Sequence, residues 1–356
     1  MLKIDSKYVE MAQRATELCE LHILLQKAIE LEHSTIPPYL TAMYSLIPKT
    51  NMGARSIIHS IVVEEMLHMT ISANILNALG GHPKINTPDF VPEYPGNLPM
   101  GIGGSGFVVG LEKFSKKVVK NVFMEIEEPE HPIEFPTLMA KATLPTFATI
   151  GAFYNAIQAK IEEIAPDTLP GDSALQVTSN FFDSNLLYPI LTKQDAINAI
   201  NIIIDQGEGT EDSPLGGEND YELAHYYRFE ELYYGQKLVK DPDAEHGYSF
   251  TGPTIPIDTS RTGVYPIYPN TKTDMLPDNS EAKNRMNEFN SSYYSLLAGL
   301  HDVFNGKPND LDKNIGTMYD IKLSAEKLCA MPFPNKRGYN VGPSFEFVSP
   351  TAFLLS

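Results

Sequence analysis

The chain has 356 residues, 42% of them hydrophobic, and 27 Lys+Arg against 45 Asp+Glu give a formal net charge of -18. That length can bury a large core, and so acidic a surface repels phosphate backbones, which excludes nucleic acid as a natural partner. Cys19 and Cys329 are too few for a disulfide framework, and neither sits in a CxxC or CxxCH run, so a thiolate metal site and covalent c-type haem are excluded as well.

Charges interrupt the N-terminal MLKIDSKYVEMAQRATELCE, so it does not read as a secretory signal, and no later stretch is apolar enough to span a membrane. A cytoplasmic protein is expected. Apolar spacing predicts a helix over 16–45, with Leu21, Leu25, Ala28 and Glu32 on one stripe at i, i+4, i+7 and i+11. Pro37 and Pro38 should kink it. A second helix, 54–79, is apolar nearly all round and therefore central. It should stop at Gly80-Gly81, with Pro83 just beyond. Residues 84–110 are turn-rich; the GIGGSG run in them lacks the Lys-Ser/Thr ending of a phosphate loop and reads as an ordinary loop. Helical spacing returns over 112–128, 145–164, 172–187, 193–206 and 220–239. After the Pro/Tyr-rich HGYSFTGPTIPIDTSRTGVYPIYPN it returns again over 280–304 and 311–331. The expectation is a mainly α chain. Residues 1–240 form the core with inserted loops, and 241–356 are a C-terminal extension packed on it.

The chemistry lies in two E-x-x-H spacings, Glu65-Met-Leu-His68 and Glu222-Leu-Ala-His225. On a helix, i and i+3 share a face, so carboxylate and imidazole can grip one cation. Each spacing alone has a plain reading: a satisfied core pair for the first, a solvated face beside Glu218, Arg228, Glu230 and Glu231 for the second. Both together with Glu32, on stripes of separate helices, match the ligand set of carboxylate-bridged di-metal bundles. Buried carboxylates are costly unless paired or metal-bound. Imidazole with carboxylate suits one or two iron ions, with manganese and zinc as alternatives. Such a site wants a second single glutamate. The helix around 150–157 should bring it, yet carries Ala152 and no acid before Glu162. Glu208, flanked by glycines in DQGEGT, is the candidate to fill the gap; otherwise one ion serves alone, with open positions for substrate. Glu64 reads as supporting the ligands. Glu30 and His33 read as a chance spacing on another face, and the acids of Glu125-Ile-Glu127-Glu128-Pro-Glu130-His131 as a solvated helix end. Tyr39, seven residues after Glu32, is the candidate catalytic residue, able to hydrogen-bond a ligand or bound oxygen species; a packed core tyrosine is its other reading.

The segments LLQKAIELEHSTIPPYLTAMYSL, IIHSIVVEEMLHMTISANILNALGGHPKI and FVPEYPGNLP resemble the ferritin-like domain of the iminophenyl-pyruvate dimer synthase group. That domain also occurs in the large synthases of violacein and rebeccamycin biosynthesis. FMEIEEPE, TIGAFYNAI, DQGEGT, ELAHYYRFEEL, EFNSSYYSLL and GPSFEF continue the resemblance over most of the chain. It implies a ferritin-like four-helix bundle core with long Pro/Gly/Tyr-rich insertions and a helical C-terminal extension. It also implies metal-dependent oxidative chemistry in natural-product pathways, with Glu32, Glu65, His68, Glu222 and His225 at the family's acidic and histidine positions. The chain is far shorter than those synthases and looks like a stand-alone member. The expected function is an iron-dependent oxidoreductase that activates dioxygen or peroxide on a small, amino-acid-derived molecule. A non-catalytic iron-handling protein and a zinc metallohydrolase are the alternatives. A homo-oligomer is compatible with the sequence. Residues 100–110 and 247–269 should border the substrate pocket, since loops on a rigid bundle usually make such contacts.

Overall fold

Two long helices, α2 (Leu18–Ser45) and α3 (Met52–Ala78), form the centre of the molecule. The computed structural model describes residues 4–104, 106–129, 149–179, 181–208, 214–216 and 222–348. The short link between α2 and α3 makes them antiparallel neighbours: His22 near the start of α2 meets the Leu79 carbonyl beyond α3, while Thr35 meets Glu65 midway. From Leu31 to Ser45 every residue of α2 is buried, which explains why its sequence is apolar on all sides. α3 ends as its glycines require. Gly80 takes φ +85°, and the Gly80 and Gly81 amides close back on the Asn77 and Leu76 carbonyls.

Pro37 and Pro38 do not end α2, which continues to Ser45. Each proline removes a backbone donor and so orphans a carbonyl one turn earlier. For Pro38 that carbonyl belongs to Ser34, and the buried Tyr94 hydroxyl donates to it at 2.6 Å. The irregular segment after α3 thus supplies what the helix lacks.

The other elements pack round this pair. α1 (Lys7–Arg14) lies against α6 (Ile150–Ile164), and α6 against α7 (Lys193–Glu208). α8 (His225–Tyr234) packs on α3 and on a short helical run made of α4 (Lys116–Val118), a π-turn (Val119–Phe123) and α5 (Met124–Ile126). α9 (Glu281–Phe304) and α10 (Leu311–Ala330) pair with each other and rest on α3 and α2. Asn77 of α3 binds the Phe304 carbonyl at the end of α9. Two-residue hairpins β1–β2 (Leu215–Gly216, Glu222–Leu223) and β3–β4 (Val239–Lys240, Tyr248–Ser249) are the paired strands among the described residues. Among those residues, no helix is long and apolar enough to cross a membrane.

Three expected helices differ. The stretch 172–187 forms one 3₁₀ turn, Ser173–Leu175, and is otherwise irregular. Its backbone is taken by side chains: Asp172 caps the Ala174 amide, Asn74 pairs with both backbone groups of Val177, and Gln176 pairs with both of Ile190. Such bonds compete directly with helix formation. The run expected over 112–128 starts at Lys116 and contains the π-turn. The helix expected over 220–239 starts only at His225, which leaves Glu222 on β2.

Replacing Tyr94 with Phe should therefore destabilise the protein by about 1–3 kcal/mol, the usual cost of leaving a buried carbonyl unpaired. Urea unfolding monitored by circular dichroism should show a lower midpoint at unchanged slope; an unmoved midpoint would mean that the Ser34 carbonyl finds another donor.

Candidate metal centre

Where α2, α3, α5 and α8 meet, three carboxylates and two imidazoles converge, all buried: Glu32, Glu65, His68, Glu127 and His225. They form two triads that could each hold a cation, Glu32–Glu65–His68 and Glu65–Glu127–His225, and Glu65 belongs to both. Each carboxylate spends one oxygen on a hydroxyl and turns the other to the centre. Glu32 accepts from Tyr154, and its second oxygen lies 3.7 Å from His68 Nδ1. Glu127 accepts from Tyr39 at 2.5 Å, and its second oxygen lies 3.4 Å from His225 Nδ1. Glu65 accepts from Thr35 at 2.8 Å, while its Oε1 faces both rings, 2.9 Å from His225 Nδ1 and 3.8 Å from His68 Nδ1. The two rings stack at 5.5 Å between centroids.

The outer ring nitrogens are held too. His225 Nε2 meets Glu64 at 2.8 Å, and Arg228, one turn along α8, donates to the same carboxylate at 2.6 Å and to the Ser60 hydroxyl. His68 Nε2 meets the Gln206 side-chain carbonyl at 2.9 Å. A partner on the outer nitrogen fixes ring orientation and aims the inner lone pair at the centre.

So much buried like charge perturbs ionisation. Burial, then the neighbouring Glu127 and Glu32, push the Glu65 carboxyl up to about 7, against the pull of His225. Burial alone would also raise Glu64, but His225 and Arg228 draw it down to about 2. Burial would lower His225, yet the carboxylates of Glu127, Glu64 and Glu65 hold it well above its ordinary value; burial would lower His68 too, but Glu32 and Glu65 raise it. Burial and the nearby acids keep the Tyr39 and Tyr154 hydroxyls protonated, which suits them as donors.

A cation fits this donor set. His225 Nδ1 is fully buried, 2.9 Å from a Glu65 oxygen and 3.4 Å from a Glu127 oxygen, so three ligand atoms of the kinds that hold a cation lie together. A cavity of about 40 Å³ adjoins the cluster, walled by Leu31, Ile126, Ile150, Ile203 and Ile204. At roughly 10–15 Å³ for each water-sized occupant, it has room for ions and a diatomic ligand. Residues 100–110 and 247–269, expected at the pocket, contribute nothing to this wall among the described residues. Tyr248 instead lines a second cavity of about 530 Å³, together with Arg228, Lys237, Lys240, Glu222 and Leu223.

Of the residues singled out from sequence, the structure brings together Glu32, Glu65, His68 and His225, with Tyr39 against Glu127. It does not bring Glu222. The E-x-x-H geometry needs a helix through all four residues, and here the helix begins at the histidine. The Glu222 side chain is 68% exposed, 3.8 Å from Arg228. Glu208 ends α7, but its side chain lies outside the described residues. Glu127 comes from the run that read as a solvated helix end. A signal was present: Val119, Phe123, Ile126 and Glu127 follow i, i+4, i+7 and i+8, so Glu127 continues a buried stripe much as Glu32 does. α6 contributes the Tyr154 hydroxyl in place of an acid.

Helices arranged round a buried carboxylate–histidine cluster define a ferritin-like protein, and the chain belongs to the ferritin-like family, whose profile matches residues 25–234. It is 23% identical over 336 aligned residues to dichlorochromopyrrolate synthase of Lentzea aerocolonigenes, covering 86% of this chain and 31% of that protein. The chain thus spans about a third of the length of this curated relative. The crystal structure of a ferritin-like protein from Caulobacter vibrioides matches with a TM-score of 0.60 at 22% identity, over 91% of this chain and 96% of that one. That likeness carries the fold alone. The matches bear out the mainly α, ferritin-like architecture and the resemblance to a biosynthetic synthase.

The raised Glu65 carboxyl gives a pH prediction. In the fold it keeps its proton from its ordinary 4.5 up to about 7, so the ion-free protein loses stability as pH rises through that window. Glu230, buried and raised to about 8, acts in the same direction. A cation replaces the Glu65 proton, so added Mn²⁺ should raise the melting temperature more at about pH 8 than at about pH 5.5. A shift that is equal, or larger at the lower pH, would show that Glu65 takes no ion.

Proposed function

We propose that this protein is a metal-dependent oxidoreductase that binds one or two iron ions through Glu32, Glu65, His68, Glu127 and His225 and activates dioxygen or peroxide against a small organic molecule. The observation that carries the reading is the pair of buried carboxylate–imidazole triads, Glu32–Glu65–His68 and Glu65–Glu127–His225, that share Glu65. Iron so held supplies redox equivalents and open coordination positions for an oxidant.

The residues divide the remaining work. Tyr154, Tyr39 and Thr35 each fix one carboxylate oxygen and so present the other to the ions. Glu65, whose Oε1 faces both imidazoles, belongs to both triads and would help hold an ion in either. Glu64 and Gln206 set the ring orientations. Isoleucine and leucine side chains make one wall of the cavity beside the cluster apolar. Tyr39, fully buried against Phe123 and Phe229 and bound to Glu127, positions that ligand and keeps a proton at the edge of the centre. The cavity beside the cluster is small, about 40 Å³. The larger cavity, which shares Arg228 with the cluster's outer layer, is the better place for the organic substrate and has the size common for small-molecule sites. The likeness to dichlorochromopyrrolate synthase supports small-molecule chemistry rather than iron storage.

Changing His68 and His225 together to Ala should strip most of the metal, since losing even a supporting partner costs roughly 10–100-fold in affinity. Elemental analysis and oxygen uptake after anaerobic loading with Fe²⁺ provide the test. A folded double variant with full metal content would refute the ligand assignment. Full loading of the unaltered protein without oxygen or peroxide turnover would favour an iron-handling role.

A further inference from the structure

The two cation positions are built alike and backed differently. Each has a tyrosine-pinned carboxylate, a share of Glu65 Oε1 and a histidine presenting Nδ1. What differs is the partner of Nε2. Behind His225 stands the Glu64 carboxylate, locked by Arg228, which is itself anchored on Ser60. Behind His68 stands the neutral amide of Gln206. A carboxylate acceptor draws the imidazole N–H and makes the opposite nitrogen a stronger donor, which an amide does more weakly. Arg228 offsets the Glu64 charge at long range, but the carboxylate is the group in contact with the ring.

Two further observations agree. The ligand atoms at the His225 position are drawn together, with Nδ1 2.9 and 3.4 Å from its carboxylate oxygens, against 3.7 and 3.8 Å at His68. In addition, the cavity is lined by Glu32, Glu65, His68 and Glu127, and not by His225 or Glu64. The His225 position is the more tightly drawn, and its ring stands back from the cavity that its carboxylates border; the looser position has its imidazole, His68, on the cavity wall.

We infer that the two positions are unequal in role: the Glu65–Glu127–His225 position takes the first divalent ion and retains it, while the Glu32–Glu65–His68 position takes the second, exchanges it, and is where a diatomic ligand binds. Glu64 and Gln206 are the positioning residues that set this order. The inference rests on the metal-centre reading above.

Anaerobic calorimetric titration of the ion-free protein with Co²⁺ should resolve two steps. Glu64→Gln should weaken the tighter step by roughly 10–100-fold and leave the weaker one nearly unchanged, and Gln206→Glu should strengthen the weaker step. Azide should alter the visible Co²⁺ absorption only once the second equivalent is bound, a signature that a merely structural role for Glu64 would not produce. Circular dichroism establishes that each variant is folded, and Gln206→Glu tests the order should Glu64→Gln not fold. Two equal steps, loss of the weaker step in Glu64→Gln, or an azide response at the first equivalent would overturn the inference while leaving the metal centre standing. No Co²⁺ binding at all would remove the metal centre itself.

Discussion

The structure turns on the sharing of Glu65 between two histidines inside a core that excludes water. Three carboxylates and two imidazoles lie within reach of one another with almost no solvent to screen them. Charge held in that way is expensive, and the surrounding fold is arranged to carry it. Hydroxyls from Thr35, Tyr39 and Tyr154 each take one carboxylate oxygen, and Glu64 and Gln206 take the far sides of the rings. Every partner comes from a different part of the chain from the group it serves, so the cluster also ties the helices together.

The backbone departures follow the same logic. α2 keeps its course past two prolines because Tyr94 satisfies the Ser34 carbonyl, and that course carries both Glu32 and Tyr39 into the centre. The π-turn at Val119–Phe123 adds a residue to one turn, and what it re-aims is the segment ending in Glu127. π-turns inside helices often occur at functional sites. α8 begins at His225 and places Arg228 one turn later, so one helix end delivers a ring to the centre and a guanidinium to the carboxylate behind it. That guanidinium also lines the larger cavity, which makes it the physical link between the buried cluster and the space able to hold an organic molecule.

The sequence by itself determined whatever depends on local spacing. The apolar stripes of α2 and α3 placed Glu32, Glu65 and His68 on inward faces, and Gly80-Gly81 marked the end of α3, because the helical period of about 3.6 residues and positive-φ turns are properties of short segments. Long matching segments likewise carried the resemblance to ferritin-like synthases. Only the tertiary structure decided the rest of the cluster. Glu222 and His225 share a helical spacing, but the helix starts after Glu222, whose carboxylate turns to solvent. Glu127 looked like one acid in a solvated run beside a proline, and became buried because α8 packs across its segment and Tyr39 reaches it from eighty-eight residues away in the chain. Whether an acid faces water or a metal centre depends on which distant surface covers it, and local periodicity holds no record of that.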